Sequence, residues 1–424
     1  MLLLIYFTIL FLFFLSRKNS TPSLLLISIY LFSLSCGLIM GFNYEIDSLI
    51  KLFNLFFLIV ILSLVILPWH KIYFSSSISV FKEKRFHTLT IYLFVINGIA
   101  FFVLLIACYY AFTTITDYSS FKNSSDNTGF YREIPLNHTL HLLAIYLNPT
   151  SYFLIPIHFY YLVKKKYLFA FISLILSFNS ILDGIAVFSR SSFVLYFFIY
   201  FFNLSFFLRK IDIRIQKIVK ISTLAVLGIA ISFFLIISNN RFVGYLTYGN
   251  AQYSDSKIQN PVVYSLLDYL SQWYKNSNEV MSKYKFETLN GELTLQPVIQ
   301  MANTIGIISY SSGAIDKYIK SNWGENWDRF VGLTAYLLID LGYLGTFIFA
   351  LLYSFLLKKL IPKNGKILMH KYLMLGTLFM LPAMGIFSSM FNSISYHLLI
   401  LYSIVVYLFL TIKEIKIDKK QFKI

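Results

Sequence analysis

Residues 221–245, ISTLAVLGIAISFFLIISNNRFVGY, contain the boundary that decides how this chain is built. Ile221 to Ser238 carry no charge and are long enough to cross about 30 Å of hydrocarbon as a helix. Asn239, Asn240 and Arg241 leave that environment, and a polar stretch rich in Tyr and Trp follows until the next apolar segment opens at Val331.

On either side of that interruption, long apolar segments nearly touch one another. Spanning lengths are read at 1–16, 22–42, 49–68, 89–112, 138–163, 167–187, 191–208, 221–238, 331–357, 372–389 and 393–412. The composition agrees: 58% of residues are apolar, 13% are charged, and the mean hydropathy is +0.69. Soluble domains carry about twice that share of charge. The expected fold is an all-α polytopic membrane protein with about 11 transmembrane helices. Helices one to eight lie in 1–238, a large loop in 239–330, helices nine to eleven in 331–412, and a basic tail in 413–424.

Lys and Arg collect in loops on the cytoplasmic side of a membrane, which tests this count. Six groups hold 24 of the 36 basic residues: Arg17–Lys18, Lys71–Arg85, Lys164–Lys166, Arg209–Lys220, Lys358–Lys371 and Lys413–Lys423. An eleven-helix order puts all six on one side, with 15 of the 19 acidic residues on the other. The expected topology has the N-terminus and the 239–330 loop outside and the C-terminus inside.

The net charge of +17 therefore belongs to short loops facing an anionic leaflet, not to a nucleic-acid surface. Residues 2–15 read as a retained helix, because the basic residues follow the apolar stretch and no small-residue cleavage site appears. Cys36 and Cys108 both fall in apolar spans and indicate neither disulfide nor metal. No phosphate-binding glycine loop, dinucleotide fingerprint, HExxH or paired CxxC is present. Chemistry or transport run by side chains in a membrane remains, with no cofactor and no metal.

Three arginines mark one outer boundary: Arg190 in the short turn Ser189-Arg190-Ser191, and Arg241 and Arg329 at the two edges of the large loop. Guanidinium groups suit a phosphate-bearing ligand, and Tyr245 and Tyr248 beside Arg241 suit a sugar. Carboxylates in the same loop, among them Glu287, Glu292, Glu325 and Asp328, are candidates for a general base acting on an acceptor hydroxyl. Spacing selects none of them. Within the loop, Asn260-Pro261 followed by Val262, Val263, Leu266, Leu267, Leu270, Trp273 and Tyr274 predicts a capped amphipathic helix lying on the membrane surface or on the outer helix ends. Asn148-Pro149 and Pro156 predict a kink or break in the fifth span.

The Gly-to-SRS turn at Gly184–Ser191, the large late loop, and a span opening Gly332-Leu333-Thr334-Ala335-Tyr336 and continuing Ile339-Asp340-Leu341-Gly342-Tyr343-Leu344-Gly345 resemble the Wzy-type O-antigen polymerases. The resemblance implies a glycosyltransferase of the GT-C type. Such an enzyme moves a growing chain from one undecaprenyl diphosphate to the next lipid-linked repeat unit, at the outer face of the bacterial inner membrane. It implies diphosphate contacts at Arg190 and Arg241, and a structural helix motif at Asp340, Gly342 and Gly345, whose glycines permit close packing. The implied partners are the undecaprenyl-diphosphate-linked oligosaccharide, the lipid bilayer and a chain-length regulator protein. Rival readings are a repeat-unit flippase, expected to carry charge within its spans, and an O-antigen ligase, expected to use a loop histidine. No His lies between His158 and His370.

Overall fold

A computed structural model describes residues 2–16, 21–42, 46, 48–114, 138–187, 189, 191–247, 258, 260–284, 286–304, 306–307, 318–319, 321–322, 330–361, 365–387 and 389–412, with only the backbone course at 138, 229–230, 233–247, 261 and 304. The helices are α1 Leu2–Ser16, α2 Pro22–Ile39, α3 Leu49–Ile66, α4 Glu83–Thr114, α5 His138–Leu147, α6 Leu154–Val163, α7 Tyr167–Ser177, α8 Asn179–Ala186, α9 Ser191–Phe207 and α10 Ile213–Thr247. They continue as α11 Pro261–Lys283, α12 Glu292–Thr304, α13 Gly332–Leu360, α14 Met369–Met384 and α15 Ile394–Thr411. Two three-residue strands, β1 Ser77–Ser79 and β2 Lys366–Leu368, pair in parallel.

Among the described residues, eight segments are long and apolar enough to cross a membrane: Pro22–Ile39, Leu49–Lys71, Glu83–Thr114, Thr139–Val163, Tyr167–Ala186, Ser191–Lys210, Gly332–Leu360 and Ile394–Thr411. The chain is an all-α polytopic membrane protein in its described part. The other three expected spans are not among these eight. Leu2–Ser16 has 15 residues and Met369–Met384 has 16, the second stopping short of 389 where Pro382 and Gly385 turn the chain. The helix expected over 221–238 extends through 35 residues to Thr247. At 1.5 Å per residue it is about 50 Å long, so it runs past the hydrocarbon thickness and into the segment expected to open the loop.

Four of the six basic groups gather at one end of the bundle, while Arg17–Lys18 and Lys413–Lys423 lie outside the described residues. Lys210 donates to the Ser76 carbonyl, Lys82 (2.9 Å) and Arg85 to that of Ile412, and Lys371 to that of Lys359 (3.5 Å). Ser77 N donates to Gly365 O at 2.9 Å and leads into the β1–β2 pair, while Lys164 meets Glu83 at 3.6 Å. The exposed ion pair adds little stability; what matters is that loops distant in sequence converge. The C-terminal carbonyls of α15 receive two of these cations, as a helix dipole favours.

At the opposite end, α11 is wedged into the bundle, not laid on its surface. Its N-cap is as expected, Asn260 Oδ1 accepting from Val262 N (3.0 Å) and Val263 N (3.1 Å). Beyond that first turn it packs against α2, α3, α10 and α13. Trp273, 1% exposed, donates to Ser33 Oγ at 2.6 Å near the middle of α2, and its ring meets Tyr30 edge-on at 5.7 Å. Ser33 in turn donates to Leu270 O. Ser277 donates to Val331 O, and Asn276 Nδ2 to Phe330 O at 3.3 Å. Small residues make this depth possible, because a Cβ built on Gly37 would lie 3.4 Å from Ser271 Cβ. Part of the polar face that suggested a surface helix, Asn276 and Ser277, is spent on hydrogen bonds to the chain leading into α13.

That proximity gives a direct check. With Cys36 and Cys108 replaced by Ser, the pair Gly37→Cys and Ser271→Cys is expected to form a disulfide on mild oxidation, since bridged Cβ atoms sit about 3.5–4.5 Å apart. After cleavage at a protease site engineered between the two positions, the fragments should stay joined until reduced. Separate fragments before reduction would place α11 outside the bundle.

Candidate functional site

Within α13, Gly342 has φ 69° and ψ −179°, which divides the helix into two rods. Only glycine adopts this region without strain. Space excludes a side chain independently: a Cβ at Gly342 would come within 2.9 Å of Thr288 Cγ2 and 3.1 Å of Tyr284 Oη. One turn on, a Cβ at Gly345 would lie 2.8 Å from Leu341 Cβ.

Asp340, just before the break, is 0% exposed. Its two carboxylate oxygens accept from Leu293 N (3.0 Å) and Thr294 N (2.9 Å), the first free amides of α12. The carboxylate thus caps a helix 47 positions earlier in the sequence and meets the positive end of that helix. Backbone bonds extend the clasp: Leu289 N to Ile339 O at 3.2 Å and Gly291 N to Asp340 O at 3.3 Å. Tyr336 Oη donates to Leu293 O at 2.9 Å. On the far side of the break, Tyr343 Oη donates to Asn54 Oδ1 (2.6 Å), and Asn54 Nδ2 to Met281 O (2.9 Å). These bonds tie α3, α11, α12 and α13 together around one broken helix.

The connection from α11 to α12 is held by this clasp and presents two of the expected carboxylates. Glu287 is exposed and accepts a hydrogen bond from Tyr318 Oη at 2.8 Å. That bond, with the Glu287 charge beside it, holds the Tyr318 phenol above its usual range. Glu292 is exposed in the first turn of α12. The connection lies beside Phe53 and Phe57 through Tyr343, at the Leu49 end of α3, whereas the basic loops lie at its Ile66 end.

Asp340, Gly342, Glu287 and Glu292 are therefore brought together by the fold. Arg190, Arg329, Glu325, Asp328 and Tyr248 lie outside the described residues, and of Arg241 and Tyr245 only the backbone in α10 is described. Among the described residues, no group of three His, Cys, Asp or Glu is placed to hold a metal ion.

A second polar centre lies where the fifth span breaks. Between α5 and α6, Asn148–Phe153 form a 3-10 turn with Pro149 in its first positions. Asn97 Nδ2 of α4 donates to Thr150 Oγ1 at 2.9 Å, and Asn179 Nδ2 of α8 donates to Asn97 O at 2.9 Å. Asp183, one turn along α8 from Asn179, is bonded to the Asn148 side chain. Sequence reading singled out the kink but passed over Asp183. Its signal was the pairing of Asn179 and Asp183 four residues apart in an otherwise apolar helix. Nearby, a cavity of about 10 Å³ between Tyr152, Pro156, Asn203, Tyr372 and Thr377 has room for about one water.

No family model matches this chain, and neither a curated protein nor a solved structure does.

The clasp separates two substitutions at one position. Asp340→Ala removes both amide acceptors and is expected to cost about 2 kcal/mol or more. Asp340→Asn keeps one acceptor oxygen and should cost clearly less. Thermal unfolding of the detergent-purified variants reads the difference; equal stability of Ala and wild type would remove the cap from the account.

Proposed function

We propose that this protein is an O-antigen polymerase: a GT-C-type glycosyltransferase joining undecaprenyl-diphosphate-linked repeat units at the outer face of a bacterial inner membrane. One observation carries the reading. A carboxylate, Glu287, is fixed by the Asp340–Gly342 clasp at the bundle end remote from the basic loops, where a lipid-linked sugar would present its head group. In this reading the remote end is periplasmic, the N-terminus faces it, and the full count of eleven spans includes α1, α10 and α14.

The acceptor hydroxyl on the incoming unit attacks the anomeric carbon of the growing chain. The new C–O bond forms as the bond from that carbon to the diphosphate breaks. The hydroxyl proton passes to Glu287, and the undecaprenyl diphosphate departs with the bonding pair. Arg190, Arg241 and Arg329 would neutralise the leaving diphosphate, which makes a metal unnecessary. Tyr318 orients Glu287 through its hydrogen bond and leaves the second carboxylate oxygen for the acceptor.

A flippase for the same repeat units is the second reading, favoured by Asp183 in the polar centre at the broken helix, because an ionisable side chain at a discontinuous span is a feature of transport sites. Surface polysaccharide on a gel separates the two. Glu287→Gln and Arg190→Ala are expected to replace the ladder with lipid core bearing a single repeat unit, with a rate loss of about 100-fold or more for loss of the base. Bare core would instead support the flippase. An unchanged ladder at normal expression of both variants would falsify the site.

A further inference from the structure

Phe286 stands out on the connection between α11 and α12. Its backbone lies in the left-handed region, φ 62°, which a bulky aromatic residue rarely adopts, and its side chain is 79% exposed. Folding alone gives little reason to hold an exposed apolar ring on a strained backbone, and such strain persists where the surroundings impose it. Here they do: the residues after it are fastened to α13 by the bonds from Leu289 and Gly291. Asn290 (φ 51°) and Gly291 (φ 90°) complete the turn.

The ring does not stand alone. Its centroid is 5.7 Å from Tyr284 and 5.7 Å from Tyr343, and those two meet edge-on at 5.4 Å. Phe57 and Phe53 back Tyr343 at 4.8 and 5.2 Å. A wall of rings thus rises from the bundle, with Phe53 and Phe286 exposed on it. Glu287 follows immediately with its Tyr318 bond, and Thr288 donates to the exposed Asn290 side chain at 2.8 Å.

An acyl chain is a poor occupant, since covering Phe286 would also desolvate the adjacent carboxylate. A pyranose fits both halves: its C–H face lies on an aromatic ring and its hydroxyls donate to a carboxylate. We propose that Phe286 is a sugar-stacking platform that seats the repeat unit entering as acceptor, with Glu287 beside its hydroxyls. The proposal rests on the polymerase reading for the identity of the sugar.

Binding and polymerisation test it separately. Single repeat units released by mild acid from the diphosphate of the host's lipid-linked repeat units serve as the soluble probe, with the full-length protein in nanodiscs. Saturation-transfer NMR should show binding to wild type, a loss of about tenfold in affinity for Phe286→Ala, and near-complete recovery for Phe286→Tyr. In Phe286→Trp, the probe should give a saturable change in tryptophan emission. No binding to wild type, or equal binding by the Ala variant, overturns the platform even if Glu287→Gln abolishes the ladder. Ring-dependent binding in a protein whose deletion leaves the ladder intact upholds the platform and removes the polymerase.

Discussion

The arrangement depends on one buried carboxylate. Asp340 sits in a membrane helix with two charge-assisted bonds to the free amides of α12, and without them a charge would be stranded among apolar side chains. Because Gly342 breaks the helix directly after it, the chain between α11 and α12 can approach close enough to be clasped. Everything at that end follows: the seat of Glu287, the strained backbone of Phe286, and the junction with α3 through Asn54. A segment that could have been a mobile loop becomes a fixed rim on the bundle.

The two ends of the molecule are thereby unlike in kind. One is a set of short basic connections drawn together by Lys82, Arg85, Lys210 and the β1–β2 pair. The other is a polar, carboxylate-bearing rim built from segments that penetrate the bundle as far as Tyr30 and Trp273.

Most of the bundle was legible in the sequence, because the length of an apolar run and the alternation of basic loops are direct consequences of the bilayer as a solvent. The Asn260 cap and the break at Asn148–Pro149 were legible too, since each has a local cause. The depth of α11 was not. Ser33 lies in an expected span and Ser277 in the expected amphipathic helix, and only their partners, carbonyls and an indole from distant segments, make them an interface. Asp340 and Gly342 were picked out as a structural pair, yet the cap they permit joins backbone amides that leave no mark in sequence. Asp183 was missed because one carboxylate at a helix end resembles a boundary residue until Asn148 is seen beside it.

Reconstitution tests the central claim most directly. The purified protein is placed in proteoliposomes with undecaprenyl-diphosphate-linked repeat units isolated from the host, and the lipid-linked products are resolved by size. The account predicts a ladder rising by one repeat unit per step, with one undecaprenyl diphosphate released for each linkage. Repeat units that stay single while crossing the bilayer would contradict it and leave a transporter in its place.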